Sequence, residues 1–567
     1  MRHFPITLLL IFVALKVVSQ ATRPDIPLPS APQVRWHQYE QIMFVHFGPA
    51  AWQGREYDNL TTPLSDIKLS ALDTDQWCEV ASSWGAKMIL FVAKHTGGFC
   101  WWQTQTTEFG IRNTPWKNGQ GDVLKDLSES CKKYGLDLGI YIYPGDEQWG
   151  AGIGSGGITK DPALQEEYNR VFRQQLTEVL SNYGTIREVW FDGNCHINVA
   201  DILEKYAHDA VIFQGKSATL RWVGNEDGVA PDPNWYSLSK EDLATGVATA
   251  LHSDVNGNAY APVEVDVPFL KNGGHKWFWA PNTDHLIMNI EQLMDLYYRS
   301  VGRGSVLLLN STPDTSGLIP ASHAKVYKAF GEEINSRFAK PLKRTSGKKD
   351  QLVISFPGQK QVNHVILQED VSQGQRVKKY IIEGSTDGKQ WKTIFQGTSI
   401  GNKKIDRFPT ESLKKIRVRF VDTKAIPVIK NFSVYNIQTS SLVAEESAKP
   451  ITVGNWEAST FEEDTWKELE LDLTPYVNSI GQYDIQFNMI AYDFTSGKPT
   501  GLNFKDWSLE IYGQNNIEAI EKLKDSSTFR ITRSQQTLDE YKTIFRVWIK
   551  RNPSKSSGGI TIKRLTY

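Results

Sequence analysis

The sequence has no marked excess of charge of either sign. Lysine and arginine total 63 against 64 aspartates and glutamates, so the formal net charge of the 567-residue chain is −1 at pH 7. A basic stripe, typical of nucleic-acid-binding proteins, is missing, and so is an acidic tail. We therefore expect no nucleic-acid partner, and the length favours three or four domains over a single core.

Cysteine is scarce as well. The four cysteines, Cys78, Cys100, Cys131 and Cys195, all lie before residue 200, and none belongs to a CxxC pair. Scattered spacing of this kind does not predict a disulfide framework. Buried free thiols are the simpler interpretation, although one bridge stays possible in an oxidising compartment.

Beyond the first residues, no apolar run reaches the length of a membrane span. Residues 1–3 are basic, residues 6–15 are apolar, and residues 17–19 (Val-Val-Ser) fit the pattern of a cleavage site. We predict that residues 1–19 are a signal peptide, that Gln20 is the new N-terminus, and that the protein is exported to the periplasm or the cell exterior. No cysteine lies directly after the apolar run, so we expect no lipoprotein anchor.

Motifs for metal and phosphate binding are also missing. The sequence contains no HExxH and no HxH, and its 11 histidines are thinly spread. Residues 150–157 are rich in glycine but lack the Lys-Ser/Thr pair of a phosphate loop, which favours a mobile active-site loop. We expect neither a metal site nor a cofactor.

Aromatic residues, by contrast, are plentiful, with 18 tryptophans and 21 tyrosines. Part of this content indicates large β-rich cores. The rest is typical of carbohydrate-active proteins, since the C–H face of a sugar ring packs well on an indole ring.

Strand and helix patterns alternate from about residue 33 to residue 338. Apolar runs such as residues 43–47 and 87–93 end at polar or glycine-rich loops, and helical patterns lie between them. This order predicts a (β/α)8-type barrel over residues 30–340. A doubly wound sheet is the alternative, but no GxGxxG follows the first predicted strand.

The composition changes after about residue 340. Short alternating segments recur over residues 341–438, with a hairpin signal at Asp387-Gly388, and predict a β-sandwich. Residues 450–567 also alternate and predict a second C-terminal β-rich domain. The expected fold is thus α/β, a (β/α)8-type barrel followed by two C-terminal β-sandwich domains.

The most informative segment is residues 188–193, Glu-Val-Trp-Phe-Asp-Gly. It predicts a buried parallel strand that ends at Asp192, beside Trp190. In α/β barrels the chemistry gathers at the carboxyl ends of the strands. Asp192 is therefore our candidate nucleophile of a sugar-cleaving enzyme, and the alternative is a helix N-cap.

Retaining glycoside cleavage needs a second carboxyl group close to the nucleophile. Glu264 and Asp266 alternate along a short predicted strand, residues 263–267, and share one of its faces. Either side chain is a candidate proton donor, the alternative being a solvated strand edge. Glu226, in the loop of residues 221–226, is a rival.

His46 and His95 each follow an apolar predicted strand. Neutral imidazoles at this end of a barrel can donate hydrogen bonds to sugar hydroxyls or accept them. A single histidine of this kind is more often structural, but two at corresponding strand ends favour a sugar pocket.

These motifs resemble those of the α-L-fucosidases of glycoside hydrolase family 29. The segment around Asp192 is similar to the nucleophile signature of that family, and residues 44–48 (Phe-Val-His-Phe-Gly) to its first barrel strand. Residues 221–226 (Arg-Trp-Val-Gly-Asn-Glu) resemble a loop of its subgroup specific for 1,3 and 1,4 linkages. Residues 341–438 resemble the discoidin-like module that follows the barrel.

The resemblance implies an exo-glycosidase that releases terminal α-L-fucose from glycans by double displacement. It places the acid/base role on Glu264 rather than Asp266, because residues 262–267 followed by Trp277-Phe278 resemble the segment that supplies this group. The residues that it implies for sugar binding are His46, Glu56, His95, Trp190, Arg221 and Trp279.

The sequence departs from the family pattern in one wall of the expected pocket. The usual His-His-Asp-Gly step is replaced by His95-Thr96-Gly97-Gly98, so one sugar-binding histidine is missing. Loss of such a hydrogen-bond partner weakens binding by roughly 1–3 kcal/mol unless another group replaces it. An α-L-galactoside or another fucose-like sugar is therefore an alternative substrate, and a non-catalytic carbohydrate-binding protein is the alternative of another class.

Overall fold

A computed structural model describes residues 26–437 and part of the chain beyond them. The further residues it describes are 451–457, 466–473, 477, 481–490, 503–512, 521–522, 528–533, 542–550 and 557–564. The predicted signal peptide lies outside the described residues.

Eight parallel strands form the sheet of the first domain. In chain order they are Gln41–Val45, Met88–Lys94, Asp137–Ile142, Ile186–Trp190, Val211–Phe213, Arg221–Trp222, Val263–Val267 and Val306–Ser311. Their spatial order is 5-4-3-2-1-8-7-6, with every neighbouring pair parallel. A single bridge between Phe213 and Leu220 joins the two outer strands, so the sheet is a nearly closed barrel.

Helices cover the outside of the barrel. The α-helices are Ala31–His37, Ala50–Gln53, Thr74–Ser83, Val123–Tyr134, Gln165–Ser181, Ala200–Tyr206, Lys240–Ala244, Ile290–Arg299 and Ala321–Phe338. Two of these helices have clear caps, because Asp73 accepts hydrogen bonds from two backbone N–H groups of the third helix and Gly135 ends the fourth in the left-handed conformation.

Every barrel strand is buried on both faces, yet the faces differ. Ile42, Phe44 and Leu308 belong to the core inside the barrel, whereas Met43 and Val45 pack under the helices. Since side chains alternate along a strand, residues 188, 190 and 192 point inward together, as do residues 264 and 266. The strand period thus decides which polar groups reach the interior.

The second domain is an antiparallel sheet with its own core. Its strands, Lys343–Gly347, Gln351–Glu369, Val377–Ser385, Lys392–Gly397, Lys404–Thr423 and Ile429–Tyr435, pair in the order 1-6-2-5-3-4. The hairpin predicted at Asp387-Gly388 is confirmed. Not all of the predicted segments are short, because shifts of register interrupt the alternation of Gln351–Glu369 without ending the strand.

Hydrogen bonds and an ion pair join the barrel to this second domain. The Asn402 side chain donates to the backbone carbonyl of His37 at 2.8 Å, and the Ser399 hydroxyl accepts from the backbone N–H of Asn234 at 2.8 Å. The Lys404 ammonium lies 2.5 Å from the Asp232 carboxylate and is 4% exposed. Buried polar contacts therefore link the two domains.

The described part of the C-terminal region is also made of antiparallel strands. One sheet contains Ile451–Glu457, Gly481–Ile490, Glu521–Lys522, Thr528–Arg533 and Ser557–Arg564, and a second contains Trp466–Asp472, Asn503–Tyr512 and Lys542–Lys550. This arrangement confirms the predicted β-rich domain. Among the described residues, no helix combines the length and the apolar character that a bilayer span requires.

Candidate active site

Asp192 lies just past the carboxyl end of the fourth barrel strand. Its Oδ2 accepts a hydrogen bond from the Tyr141 hydroxyl at 3.0 Å, and its side chain is partly exposed. Burial raises the pKa of Asp192 to about 6, the Tyr141 hydrogen bond opposes that rise, and the charge of Glu226 adds to it. Asp192 is thus an ionisable carboxyl at the open end of the barrel, and no helix begins at it, since the next helix is capped by Val199.

Aromatic rings surround the inner side of Asp192. Trp190 stacks on Phe213 with ring centroids 4.1 Å apart and on Tyr141 with centroids 5.2 Å apart. Phe44 contacts both Tyr141 and Trp190, and Trp277 adds its indole to the edge of Phe44. We call Phe44, Tyr141, Trp190 and Trp277 the aromatic cup.

His46 and His95 both lie at this cup. His46 Nδ1 is 2.7 Å from the Asn310 side-chain oxygen, so it donates and leaves Nε2 as the free ring nitrogen for an acceptor role. The ring of His95 stacks on Tyr141 with centroids 5.6 Å apart. Burial lowers the pKa of His95 to about 3 and holds that of His46 well below its usual range, so both rings are neutral.

An irregularity in the second strand turns His95 toward the cup. The register against the third strand shifts between Val92 and Lys94. Val92 belongs to the inner core, but Lys94 reaches the outside of the barrel, where its ammonium lies 3.3 Å from the Tyr168 hydroxyl. The extra residue restores the inward direction at His95.

Glu264 lies below the cup, inside the barrel. Its carboxyl is 1% exposed, and its Oε1 accepts a hydrogen bond from the Trp190 indole N–H at 2.7 Å. Glu188, which is fully buried, accepts from the Trp36 indole at 3.0 Å, and its Oε1 and the Glu264 Oε2 are both buried without a donor among the described residues. Burial and the neighbouring carboxyl raise the pKa of Glu264 well above its usual range, so the two groups share a proton.

Asp266 lies one inward step nearer the open end. It is 4% exposed, and its Oδ1 accepts a hydrogen bond from the Trp222 indole at 2.7 Å. Burial, together with the charges of Glu226 and Glu264, raises the pKa of Asp266 well above its usual range. The strand that contains Glu264 and Asp266 is therefore buried, not a solvated edge.

Glu226 reaches the site from the loop after the sixth strand. Its Oε2 lies 2.5 Å from His275 Nε2 and 3.1 Å from the Trp277 indole nitrogen, which donates to it. Burial alone would raise the pKa of Glu226. The hydrogen bonds from His275 and Trp277, with nearby positive charge, lower it by more than burial raises it, so the pKa lies below its usual range. The charges of Glu226 and Asp192 both raise the pKa of Tyr57, after burial, so the phenol faces both carboxylates.

Three residues that the resemblance implied for sugar binding make other contacts. The buried Arg221 guanidinium donates to the backbone carbonyls of Ala261, Thr249 and Trp235, and so braces the loops. Glu56 accepts from the backbone N–H of Trp277 at 2.7 Å. Trp279 is half-buried, and the indole that packs against His46 is that of Trp277, with centroids 5.0 Å apart.

The altered wall of the pocket has a replacement side chain. A Cβ built on Gly97 would lie 2.5 Å from Asp58 Oδ2, so Asp58 fills the space beside this glycine. Asp58 Oδ1 accepts from the Gln53 side chain at 2.6 Å, and a small cavity beside Asp58 is lined by His95, Gly97 and several aromatic rings.

Sequence reasoning did not single out Tyr141, Trp277 or His275. The alternation of side chains in the third strand was a usable signal for Tyr141. Tyr141 pairs with Trp190 in the next strand and so points to the same inner face as Trp190 and Asp192. Trp277 and His275 lie in a loop without periodicity, so only the fold brings them to Glu226. Within the described residues, no group of three or more His, Cys, Asp or Glu side chains is arranged to hold a metal ion.

Comparison with known proteins agrees with this geometry. The alpha-L-fucosidase family model matches residues 31–336, and the F5/8 type C domain model matches residues 321–432. Alpha-L-fucosidase 1 of Arabidopsis thaliana is 29% identical over 436 residues, which are 68% of this chain and 82% of that protein.

Two solved structures extend the likeness. A Bacteroides thetaiotaomicron structure provisionally described as an alpha-L-fucosidase is 31% identical, with a TM-score of 0.69 over 73% of this chain and 100% of that one. A glycoside hydrolase 29 family member from an unknown rumen bacterium is 26% identical, with a TM-score of 0.65 over 95% of this chain and 96% of that one. Since the family model covers more than half of the chain, the protein belongs to the alpha-L-fucosidase family and is a glycoside hydrolase.

Proposed function

We propose that the protein is an exported, retaining exo-α-L-fucosidase in which Asp192 is the nucleophile and Glu226 the acid/base. The observation that carries the proposal is the position of Asp192, at the edge of the aromatic cup and within electrostatic reach of a second carboxyl, that of Glu226. The substrate is a fucosylated oligosaccharide or glycoconjugate.

The reaction takes two steps. Asp192, ionised, attacks the anomeric carbon while protonated Glu226 gives its proton to the leaving glycosidic oxygen. Ionised Glu226 then takes a proton from water, and the hydroxide formed displaces Asp192 from the same face that the leaving group occupied. The Tyr141 hydrogen bond stabilises the Asp192 carboxylate before attack and after release.

The aromatic cup suits a 6-deoxy sugar. The methyl group of fucose is its only apolar substituent, and the rings of Phe44, Tyr141, Trp190 and Trp277 offer it an apolar seat. His46 and His95 are neutral and present ring nitrogens to the sugar hydroxyls.

We assign the acid/base role to Glu226 in place of Glu264 because of depth. Glu264 is 1% exposed and its Oε1 accepts from the Trp190 indole, below the cup. The Glu226 side chain is 41% exposed, and its charge is the carboxylate charge that acts on Asp192. A proton donor must reach an oxygen that projects out of the pocket, which favours Glu226.

Replacing the nucleophile tests the mechanism. Asp192→Gly should abolish release of nitrophenol from an aryl α-L-fucoside, and azide should restore release with a β-fucosyl azide as product, because the small anion takes the vacated face. In the parent enzyme the pKa of Glu226 lies below that of Asp192, so the reactive form, with Asp192 ionised and Glu226 protonated, is a minor form of the singly protonated pair. We therefore expect kcat/KM to fall above about pH 6, where the pair loses that proton. Unimpaired hydrolysis by Asp192→Gly would refute the assignment, and glycan binding without sugar release by the parent protein would favour the non-catalytic alternative.

A paired comparison tests the acid/base. Glu226→Gln should slow hydrolysis of a fucosyl-oligosaccharide by roughly 10²–10⁴-fold and that of a dinitrophenyl fucoside far less, because the activated leaving group needs no proton. Glu264→Gln should change both rates by similar factors. The reverse pattern would return the role to Glu264.

Two parts of the proposal rest on sequence. Export is supported by the basic start and apolar run of residues 1–15 and is tested by sequencing the N-terminus of the protein secreted by an expressing cell. The altered step at Thr96-Gly97 favours an α-L-galactoside as a second candidate substrate, and parallel kcat/KM measurements on aryl α-L-fucoside and α-L-galactoside decide between them.

A further inference from the structure

Both hydrogen bonds described for the Glu226 carboxyl fall on the same oxygen. Oε2 is bound by His275 Nε2 at 2.5 Å and by the Trp277 indole at 3.1 Å. Two anchors on one oxygen fix the plane of the carboxyl and direct Oε1 elsewhere. A general acid needs this arrangement, since one oxygen must present a proton in a set direction.

The protonation of His275 follows from its second neighbour. His275 Nδ1 lies 3.3 Å from the Lys271 ammonium, which has three N–H donors and no acceptor. Nδ1 must therefore accept, and the ring proton sits on Nε2, which donates to Glu226. Lys271 thus sets the tautomer that Glu226 requires.

Lys271 is itself held by the loop that contains Glu226. Its ammonium donates to the backbone carbonyl of Glu226 at 2.9 Å and lies 3.0 Å from Asp227 Oδ1. Lys271, His275 and Glu226 therefore form a ring of hydrogen bonds, in which Lys271 contacts the Glu226 backbone and His275 contacts the Glu226 carboxyl. This ring joins the loop after the sixth strand to the loop after the seventh.

We propose that His275, held in its Nε2–H tautomer by Lys271, is a positioning residue that aims the acid/base carboxyl at the leaving oxygen. The inference rests on the proposed role of Glu226. His275 touches neither the sugar carbon nor the glycosidic oxygen in this scheme, and it acts through Glu226 alone.

The same contact sets the acidity of Glu226. His275 donates to the carboxylate form and so favours it, as do Trp277 and the positive charge of Lys271. From the barrel side the groups that face Glu226 are the acidic Asp192 and Asp266 and the phenol of Tyr57, and the neighbouring Asp227 is paired with Lys271. Removal of His275 leaves these acidic neighbours less opposed, so the pKa of Glu226 must rise.

The test is the pH profile of kcat/KM on a fucosyl-oligosaccharide, whose leaving group needs an acid. Since the pKa of Glu226 lies below that of Asp192, the fall at low pH reports Glu226 and the fall at high pH reports Asp192. His275→Ala should move the low-pH limb upward by about one pH unit, and it should slow proton transfer to the leaving oxygen because the carboxyl is no longer aimed. His275→Gln, which retains an N–H donor, should restore most of both.

His285→Ala is the matched control. It removes the same ring from the same connection between the seventh strand and the following helix, but His285 is exposed and bonds to the Asn282 carbonyl. Its pH profile should match that of the parent enzyme. Both His275 and His285 are solvent-exposed, so neither change removes a core side chain.

The outcomes separate this inference from the proposed function. If Glu226→Gln leaves the oligosaccharide rate unchanged, the proposed role of Glu226 fails. If Glu226→Gln behaves as an acid/base variant but the low-pH limb of His275→Ala stays in place, the positioning role of His275 is refuted and the role of Glu226 stands. A limb that moves in His275→Ala and stays moved in His275→Gln also refutes it.

Discussion

At the scale of the residue, depth decides what each carboxyl of the barrel can do. Glu188, Trp190 and Asp192 follow one another on the inner face of the fourth strand. The first is fully buried and shares a proton with Glu264, whereas the last reaches the open end and has a pKa of about 6. Four residues along the chain, or two inward-facing steps, separate a structural carboxyl from the candidate nucleophile.

The buried carboxyl pair makes stability depend on pH. Burial raises the pKa of Glu188 to about 7, above its ordinary value, so the folded state binds the proton that the unfolded state releases. Stability is therefore lost as pH rises from the unfolded pKa through about 7. Glu188→Gln removes this loss, and we expect a higher melting temperature than the parent at pH 8 but a similar one at pH 4.5, measured by calorimetry.

The exposed Glu166→Gln serves as the control for that comparison, since it removes a carboxyl on the outer surface. It should shift the melting temperature by the same small amount at both pH values. A Glu188→Gln variant that loses stability equally at both would mean that the pair is held as an ionised hydrogen-bond acceptor rather than by a shared proton.

At the scale of the element, the strand period explains how much of the site the sequence could predict. Asp192, His46 and the inward pair of Glu264 and Asp266 were predictable, because parallel strands place their carboxyl ends at one edge and alternate side chains at one face. The inner position of Glu264 was a matter of depth along the strand, which periodicity does not report.

Loops escaped the same reasoning. Trp277 rather than Trp279 enters the cup, and Arg221 bonds to backbone carbonyls, because a loop has no period that fixes the direction of a side chain. The inward direction of the His95 side chain depends on a register shift between the second and third strands, and no sequence pattern predicts that shift. The discoidin-like domain was predictable as a type, but not the length of its strands.

The loop after the second strand offers a test of mutual fit. Gly97→Ala should lower both stability and activity, because its Cβ would lie 2.5 Å from Asp58 Oδ2 beside His95. Asp58→Gly removes the obstacle, including the Asp58 Cβ that would lie 2.8 Å from the new methyl group, at the expense of the hydrogen bond to Gln53. In a double-mutant cycle we expect the pair to be less harmful than the sum of the single changes, measured as free energy of unfolding. Strict additivity would show that the two positions do not compete for space.

At the scale of the molecule, the discoidin-like domain acts as a brace for the barrel. Its loops hydrogen-bond the first barrel helix through Asn402 and the connection at residues 232–236 through Ser399 and Lys404. These are buried polar contacts, which leave unpaired groups when one partner is removed. The module therefore has a structural role at the barrel.

Truncation separates the domains. A chain of residues 20–437 should retain activity on an aryl fucoside, because all the site contacts described here lie within it. A chain of residues 20–340 should be poorly soluble and inactive, because Asp232 and His37 lose their partners. Soluble yield and activity of the two chains provide the measurement, and an active shorter chain would refute the bracing role.

The barrel is weakly closed between its fifth and sixth strands, so the two sides of the active site differ in rigidity. The fifth and sixth strands are three and two residues long and meet through one bridge, so this seam should have the smallest free energy of local opening and the fastest amide hydrogen exchange in the barrel. The Glu226 loop begins at the seam, whereas Asp192 lies just past the end of a strand that is paired on both sides. The Asp192 side of the site, which contacts the sugar, is thereby held rigid, whereas the Glu226 loop, which meets the leaving group, can move. This difference suits one sugar attached to glycans of different size.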